Sequence, residues 1–169
     1  MPNKICHVAF VLLLTLCLFS SCQERQSYRD DLRCETLMDA AIDQAPTDFD
    51  YDTFGSDHLR YYFDEDEEAD DACLRYSIAA ENINEIGIFH ASNETAAREI
   101  YEDCEEYLEE LREEKSAFIA SYAPEELSKL EEAEVRRFGN YTVYAILSSE
   151  ERALVFETIE QALLTKTTS

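Results

Sequence analysis

Three alternating aspartates give the sequence its first chemical signal. Asp48, Asp50 and Asp52 have the spacing that opens a calcium-binding loop of the EF-hand type. That loop also requires glycine at its sixth position and glutamate at its twelfth, where this chain has Thr53 and Leu59. The pattern therefore favours an acidic surface loop over an EF-hand, and the three aspartates are weak metal-ligand candidates.

A second acidic run follows at residues 64–71. It places seven carboxylates in eight residues and adds Asp64 and Asp66 to the weak metal candidates. Such a run is most simply a solvated segment that aids solubility. Loose binding of divalent cations by the whole region 46–71, which we expect to be mostly loop, is the alternative.

Motifs for catalysis or cofactor binding do not occur in the sequence. His58 and His90 are outside any metal-ligand spacing, and there is neither a Gly-x-Ser-x-Gly motif nor a glycine-rich phosphate loop. We therefore expect no catalytic residue, no cofactor and no enzyme activity. An unrecognised enzyme would need a polar pocket, and its residues would be sought first among four strand positions. These positions, which packing explains more simply, are Tyr76, His90, Tyr141 and Tyr144.

The N-terminus has the features of a secretory signal. Lys4 precedes an apolar run over residues 8–19, which is too short for a confident membrane span. The run ends in Leu18-Phe19-Ser20-Ser21-Cys22, which resembles a bacterial lipobox with Phe19 in place of the usual aliphatic residue. We expect a signal peptide at 1–21, a lipid on Cys22 and a short tether at 22–29, with ordinary signal cleavage as the alternative.

The charge of the chain restricts its partners. Removal of residues 1–21 takes away Lys4 and no acid, so 13 basic and 38 acidic side chains remain and the net charge becomes −25. Nucleic acid is excluded, because phosphate binding depends on clustered Lys and Arg. An anionic membrane surface would repel the domain too, so we expect attachment to the lipid bilayer through the acyl group on Cys22.

Three cysteines remain after Cys22. Cys34, Cys73 and Cys104 are widely spaced and form no Cys-x-x-Cys pair. We expect them to be small buried side chains, with at most one disulfide whose pairing the sequence does not specify.

One stretch, residues 93–122, organises the fold. Apolar residues recur there at spacings of three and four, which predicts a single helix about 45 Å long. Its predicted core positions are Ala97, Ile100, Tyr101, Cys104, Tyr107, Leu108, Leu111, Phe118, Ile119 and Tyr122. The stripe lapses over residues 112–116, so Lys115 snorkels there or the helix bends or overhangs the core.

Two hairpins flank this helix. Strands are predicted at 73–79 and 85–91, and again at 135–138 and 141–147 around a Gly139-Asn140 turn. Further helices are predicted from Asp30 to about residue 45, over about 124–132, and after Ser148, which forms a capping box with Glu151. The fold class is α+β, with a four-stranded antiparallel sheet of two hairpins carrying helices on one face. We expect one domain at 30–164 and a frayed tail at 165–169.

Several of these segments together resemble a known family. The strand Glu85-Ile86-Gly87-Ile88-Phe89, the charged helix, the Phe118 to Pro124 segment and Phe138-Gly139-Asn140-Tyr141 are similar to domain-of-unknown-function family 4358. Members are small lipoproteins of Gram-positive bacteria. The resemblance spans about residues 30–163 and implies a lipid-anchored α+β domain with no established activity, so no functional residue can be carried over.

These observations give two functional predictions. The first is an extracytoplasmic lipoprotein on the cell membrane that acts as a non-catalytic binding or accessory module for an unknown protein or envelope component. The second is divalent-cation binding by the acidic region. An acidic face on the long helix, with ten acids against three bases, would also suit a basic partner, although solvation alone explains it.

Overall fold

The computed structural model describes residues 27–44, 51–55 and 69–164. Within these ranges the chain forms four helices and five strands. In chain order they are α1 (Cys34–Gln44), β1 (Tyr51–Gly55), β2 (Ala69–Ser77), β3 (Glu85–Ala91), α2 (Glu94–Tyr122), α3 (Leu127–Glu131), β4 (Glu134–Phe138), β5 (Tyr141–Ile146) and α4 (Ser149–Leu163).

The strands form one antiparallel sheet in the order β1-β2-β3-β5-β4. The α+β class and both hairpins are confirmed, but the sheet has five strands instead of four. The added strand is β1, which lies in the region expected to be mostly loop. It pairs with β2 in a register that sets Phe54 opposite Leu74, and the Phe54 ring stacks on that of Tyr76 with centroids 5.0 Å apart.

Helices cover both faces of the sheet, so the prediction of helices on one face is wrong. One face packs against α2 and α3, while the other packs against α1 and α4. The reason lies in the central strands, because all six residues of β5 and four consecutive residues of β3, Ile86 to Phe89, are buried. A strand with apolar residues on both faces needs a covering layer on each side.

The long helix is continuous across the predicted gap in its stripe. The Asn93 side chain caps it by accepting hydrogen bonds from the amides of Thr95 at 3.0 Å and Ala96 at 3.2 Å. Six of its residues are buried, namely Ala96, Ala97, Ile100, Cys104, Leu108 and Ile119. The prediction that Phe118 and Tyr122 are core residues is wrong. They are 59% and 76% exposed and stack on each other.

Local turn and cap signals are confirmed. Gly139 has φ +64° in the turn between β4 and β5, and Ser148 and Glu151 form the reciprocal capping box at the start of α4. The first helix begins at Cys34 and not near Asp30. The Asp30 side chain instead accepts hydrogen bonds from the His90 ring at 2.7 Å and from the side-chain amide of Asn140 at 3.1 Å. The Asn140 bond ties the N-terminal segment to the turn between β4 and β5.

In the described part of the chain, no helix combines the length and the apolarity that crossing a membrane requires. The predicted signal peptide, Cys22, the first residues of the tether and the tail at 165–169 lie outside the described residues.

Candidate functional site

Most of the weak metal-ligand candidates lie outside the described residues, namely Asp48, Asp50, Asp64 and Asp66. Asp52 is described and lies in strand β1, which corrects its expected position in a loop. Its side chain accepts hydrogen bonds from the Thr53 amide at 2.8 Å and from the Tyr76 hydroxyl at 3.5 Å. Within the described ranges, no three His, Cys, Asp or Glu side chains are grouped to hold a metal ion.

The four strand residues selected from the sequence do not converge. Tyr141 both donates to the Leu32 carbonyl at 2.7 Å and accepts from the Leu32 amide at 3.0 Å, while His90 pairs with Asp30. Tyr141 and His90 therefore hold the N-terminal segment. Tyr76 and Tyr144 lie toward the opposite end of the sheet, where a cavity opens.

This cavity, of about 200 Å³, lies between the sheet and the second half of α2. Its lining comes from β2, the β2–β3 loop, β3, α2, α3 and β5. The lining residues are Tyr76, Ser77, Asn82, Ile83, Asn84, Glu85, Tyr107, Leu111, Lys115, Ile119, Leu130 and Ile146. Most of the surface that these residues present is apolar, so the polar groups among them decide what the cavity accepts.

The carboxyl of Glu85 is the central polar group of the cavity. Tyr144 donates its hydroxyl hydrogen bond to Glu85 Oε1 at 2.5 Å, and Tyr107 donates to the same oxygen at 2.8 Å. Burial raises the pKa of this carboxyl, while the two phenol hydrogen bonds act in the opposite direction because they stabilise the charged form. A partly buried carboxyl at a cavity is a candidate binding group.

Helix geometry explains how α2 contributes to this site. Tyr107, Leu111, Lys115 and Ile119 are each four residues apart, so they form one column along the helix surface and all four line the cavity. Glu85 is the first residue of the central strand β3 and therefore lies at the end of that strand, where it lines the cavity together with this column.

A polar cluster on α3 fixes the loop that closes one side. Lys129 donates to the Asn84 Oδ1 and to Glu126, each at 2.8 Å. Glu126 also accepts the Ile83 amide at 3.1 Å. Because these groups satisfy one another, the β2–β3 loop is held in place beside Glu85.

A more open groove of about 560 Å³ lies between α2 and β4. It is lined by Glu105, Glu106, Leu108, Glu109, Arg112, Ala133, Glu134 and Val135. Its acidic side is part of the exposed acidic face of α2. Burial and repulsion from Glu106, Glu102 and Glu99 raise the pKa of Asp103 on that helix.

The three described cysteines are buried and form no disulfide with one another. Burial raises the pKa of the Cys73 thiol to about 11 and also raises that of Cys34. Both side chains are therefore neutral thiols at pH 7, and a thiolate is the form needed for nucleophilic or metal chemistry.

The sequence pattern points to Tyr144 as a candidate site residue but does not point to Glu85 or to Tyr107. One signal for Glu85 was present, since it is a lone acid that opens a strand otherwise composed of Ile, Gly, Phe, His and Ala. Tyr107 was correctly placed on the helix stripe. Nothing in the local sequence indicates that its hydroxyl meets a strand residue 22 positions earlier.

Comparison with known proteins places the fold in one family. Searches of curated proteins and of solved structures find no match. A family model described as "Domain of unknown function (DUF4358)" matches residues 49–147, which is more than half of the chain and includes both hairpins, α2 and α3. The chain therefore belongs to the DUF4358 family.

Proposed function

We propose that this chain is a non-catalytic binding module, held at the extracytoplasmic face of the cell membrane by a lipid on Cys22, with its binding end directed away from the bilayer. The single observation that carries this proposal is the opposite placement of the N-terminal segment and the cavity. Membrane attachment at one end leaves the other end accessible to a ligand or partner.

The N-terminal segment is tied to the end of the sheet where β4 turns into β5. Tyr28 packs edge-on against Phe138, with ring centroids 5.8 Å apart, and its hydroxyl donates to Glu160 at 2.9 Å. The Arg29 amide donates to the Leu163 carbonyl at 2.8 Å. A tether from Cys22 would therefore reach the domain at this end.

The cavity lies at the other end of the same strands. His90, beside the N-terminal segment, and Glu85, in the cavity, are five positions apart on β3 and so about 16 Å apart. The long helix starts just after the His90 end of β3 and continues past the cavity, so Phe118 and Tyr122 lie toward the cavity end of the domain.

Exposed apolar side chains border the cavity end. Ile78 is 60% exposed and directly follows Ser77, while Phe118 precedes Ile119; both Ser77 and Ile119 line the cavity. Contiguous exposed apolar surface commonly marks an interaction site, and the stacked rings of Phe118 and Tyr122, with centroids 4.5 Å apart, provide such surface at the cavity end.

The cavity lining supports binding over catalysis. It contains one serine, Ser77, whose hydroxyl accepts a hydrogen bond from the Ala79 amide at 3.2 Å, and it contains neither His nor Cys. The Ser–His and Cys–His pairs common in nucleophilic catalysis are therefore missing from the described lining residues.

Position-specific crosslinking in living cells tests the proposal. A photoreactive residue would replace Ile78 or Phe118 at the cavity end, or Leu154 on α4 as the exposed control. We expect membrane-associated protein and one discrete crosslinked product shared by positions 78 and 118 but missing at 154. Equal products at all three positions, or protein that fractionates away from membranes, would contradict the proposal.

A further inference from the structure

We propose that the cavity binds a small, largely apolar organic ammonium ion, whose positively charged nitrogen donates a hydrogen bond to Glu85 Oε2. This inference rests on the proposed function and names the class of ligand for the same site. The hydrogen bonds of Glu85, the size of the cavity and the charges around it support this ligand class.

The two oxygens of the Glu85 carboxyl have different partners. Tyr107 and Tyr144 both donate to Oε1, and no other described residue donates to the carboxyl. Oε2 is therefore the acceptor that the described part of the fold leaves for a ligand. A hydrogen bond with an ionised partner is about twice as strong as one between neutral groups, and an ammonium donor adds the attraction of opposite charges.

The lining determines the shape of the rest of the ligand. Five aliphatic residues line the cavity, namely Ile83, Leu111, Ile119, Leu130 and Ile146. A cavity of about 150 Å³ lined by such residues holds benzene. The present volume of about 200 Å³ therefore accommodates a six-membered ring with a short aminoalkyl arm.

The charges around the cavity favour a cation over an anion. Among the described lining residues Glu85 is the one carboxylic acid and Lys115 the one amine, and Lys115 is half-exposed with its Nζ 3.6 Å from Glu114. Lys129, just outside, is held by Asn84 and Glu126. With a chain charge of −24, the surrounding field attracts cations and repels anions.

Lys115 contributes a positive charge to the cavity lining that would oppose the binding of a cation. Its side chain leaves from the same helix column as Tyr107 and reaches the cavity, so its own ammonium can compete with a ligand cation for Glu85. Replacement by methionine removes that charge and retains the apolar stem. We therefore expect Lys115→Met to bind the ammonium ligand as tightly as the natural chain or more tightly.

Calorimetric titration of the intact chain in lipid nanodiscs tests the ligand class. Three probes share one ring and chain length: phenethylamine as the cation, 2-phenylethanol as the neutral analogue and phenylacetate as the anion, with empty nanodiscs as background. We expect saturable binding of phenethylamine, at least about tenfold tighter than that of either analogue. Tighter binding of phenylacetate, or no saturable binding of phenethylamine, would overturn the proposal without use of any variant.

The matched variant is Glu85→Gln, which keeps an Oε1 acceptor for both phenols and removes the negative charge. We expect phenethylamine binding to weaken at least about tenfold and 2-phenylethanol binding to change much less. Circular dichroism melting confirms that the variant is folded. Unchanged phenethylamine binding by a folded Glu85→Gln chain would also overturn the proposal.

The outcomes separate this inference from the proposed function. If phenethylamine fails to bind while positions 78 and 118 still give their shared crosslink, the ligand class is wrong and the binding module stands. If phenethylamine binds through Glu85 but the crosslinks are missing and the protein leaves the membrane fraction, the proposed surface role is wrong.

Discussion

The ring of Tyr144 lies against the backbone of Gly87 so closely that a Cβ atom at position 87 would be 2.2 Å from Tyr144 Cε1. The two residues are register partners on β3 and β5. Tyr144 is only 2% exposed, and its hydroxyl donates to Glu85, two positions before Gly87. Glycine at 87 therefore provides the space in which the phenol reaches the carboxyl of the cavity.

Gly87→Ala should consequently destabilise the fold. The added methyl group requires the Tyr144 ring or a strand to move, and overpacking of this kind costs about 1–3 kcal/mol. Chemical denaturation measures the loss. In a Tyr144→Leu background the same substitution should cost clearly less, because the ring that it meets is gone. Equal losses in both backgrounds would show that the strain at position 87 has another source.

The stability of the protein should depend on pH through Glu85. Burial raises the pKa of this carboxyl above its ordinary 4.5, so the folded state binds the proton more tightly than the unfolded state. The free energy of unfolding then falls as pH rises from about 4.5 through the folded-state pKa. The hydrogen bonds from Tyr144 and Tyr107 oppose the shift without reversing it.

Glu85→Gln isolates this contribution, because glutamine does not titrate and every other group is unchanged. We expect the variant to gain stability relative to the natural chain as pH rises from 4 to 7. Denaturation midpoints at several pH values measure the difference. Two parallel stability curves would show that the pKa of Glu85 is the same in the folded and unfolded states.

Local signals explain why much of the architecture could be predicted from the sequence. The Gly139-Asn140 turn, the Ser148 capping box and the helical stripe each depend on residues within a few positions of one another. The second covered face was missed although a signal existed, since residues 143–147 form a continuous apolar run, which is typical of a strand buried on both sides.

The exposed end of α2 shows that helical periodicity does not predict how far a helix extends beyond the sheet. Phe118 and Tyr122 continue the spacing of the stripe, yet the helix of 29 residues is about 43 Å long, whereas the seven residues of β3 extend about 23 Å. A stripe reveals that a helix is amphipathic and does not reveal where the sheet beneath it ends. The cavity was unpredictable for a related reason, because Glu85, Tyr107 and Ile146 are brought together only by tertiary packing.

Arg112 explains why the helix continues through the lapse in its stripe. Its guanidinium donates to the Leu130 carbonyl at 3.1 Å and to the Ala133 carbonyl at 2.7 Å. These bonds join α2 to α3 and to the residue that precedes β4. Arg112→Ala should lower the free energy of unfolding by about 1–3 kcal/mol. Arg112→Lys should restore little, because one ammonium lacks the planar fork that reaches both carbonyls.

Thermal and chemical denaturation would measure both Arg112 variants. Arg98→Ala is the matched control, since Arg98 lies on the same helix and its one ion pair with a described residue is long and exposed, to Glu102 at 3.8 Å. The control should stay within about 0.5 kcal/mol of the natural chain. A loss at Arg98 equal to that at Arg112 would mean that helix charge, and not the bridge to α3, is responsible.

Arg152 should be among the most sensitive charged positions of the described fold. It is 6% exposed, donates to the Leu147 carbonyl at 3.1 Å and lies 3.2 Å from Glu132 and 3.4 Å from Glu134. Removal of the guanidinium leaves a buried carbonyl and the Glu132 carboxylate without this donor, whereas Glu134 keeps its hydrogen bonds from Arg136 at 2.8 and 3.0 Å. Because both glutamates are partly solvated, we expect Arg152→Ala to cost about 2–3 kcal/mol, less than a fully buried pair.

Urea denaturation of Arg152→Ala beside Arg152→Met separates the charge from the packing. Methionine restores much of the apolar stem, so the part of the loss that it does not recover reports the lost hydrogen bonds and ion pairs. Full recovery by methionine would show that the two glutamates contribute nothing through Arg152.

The proposed membrane anchor depends on one atom, the sulfur of Cys22, and Cys22→Ala removes it. We expect the variant to lose fatty-acid labelling and signal cleavage, because lipidation of the cysteine precedes the cut in the lipobox pathway. Metabolic labelling, gel mobility and membrane fractionation measure the three properties together. Cys17→Ser, inside the preceding apolar run, is the control and should keep all three. If Cys22→Ala stays labelled, cleaved and membrane-bound like the natural chain, Cys22 is not the anchor, and the orientation proposed for the cavity loses its support.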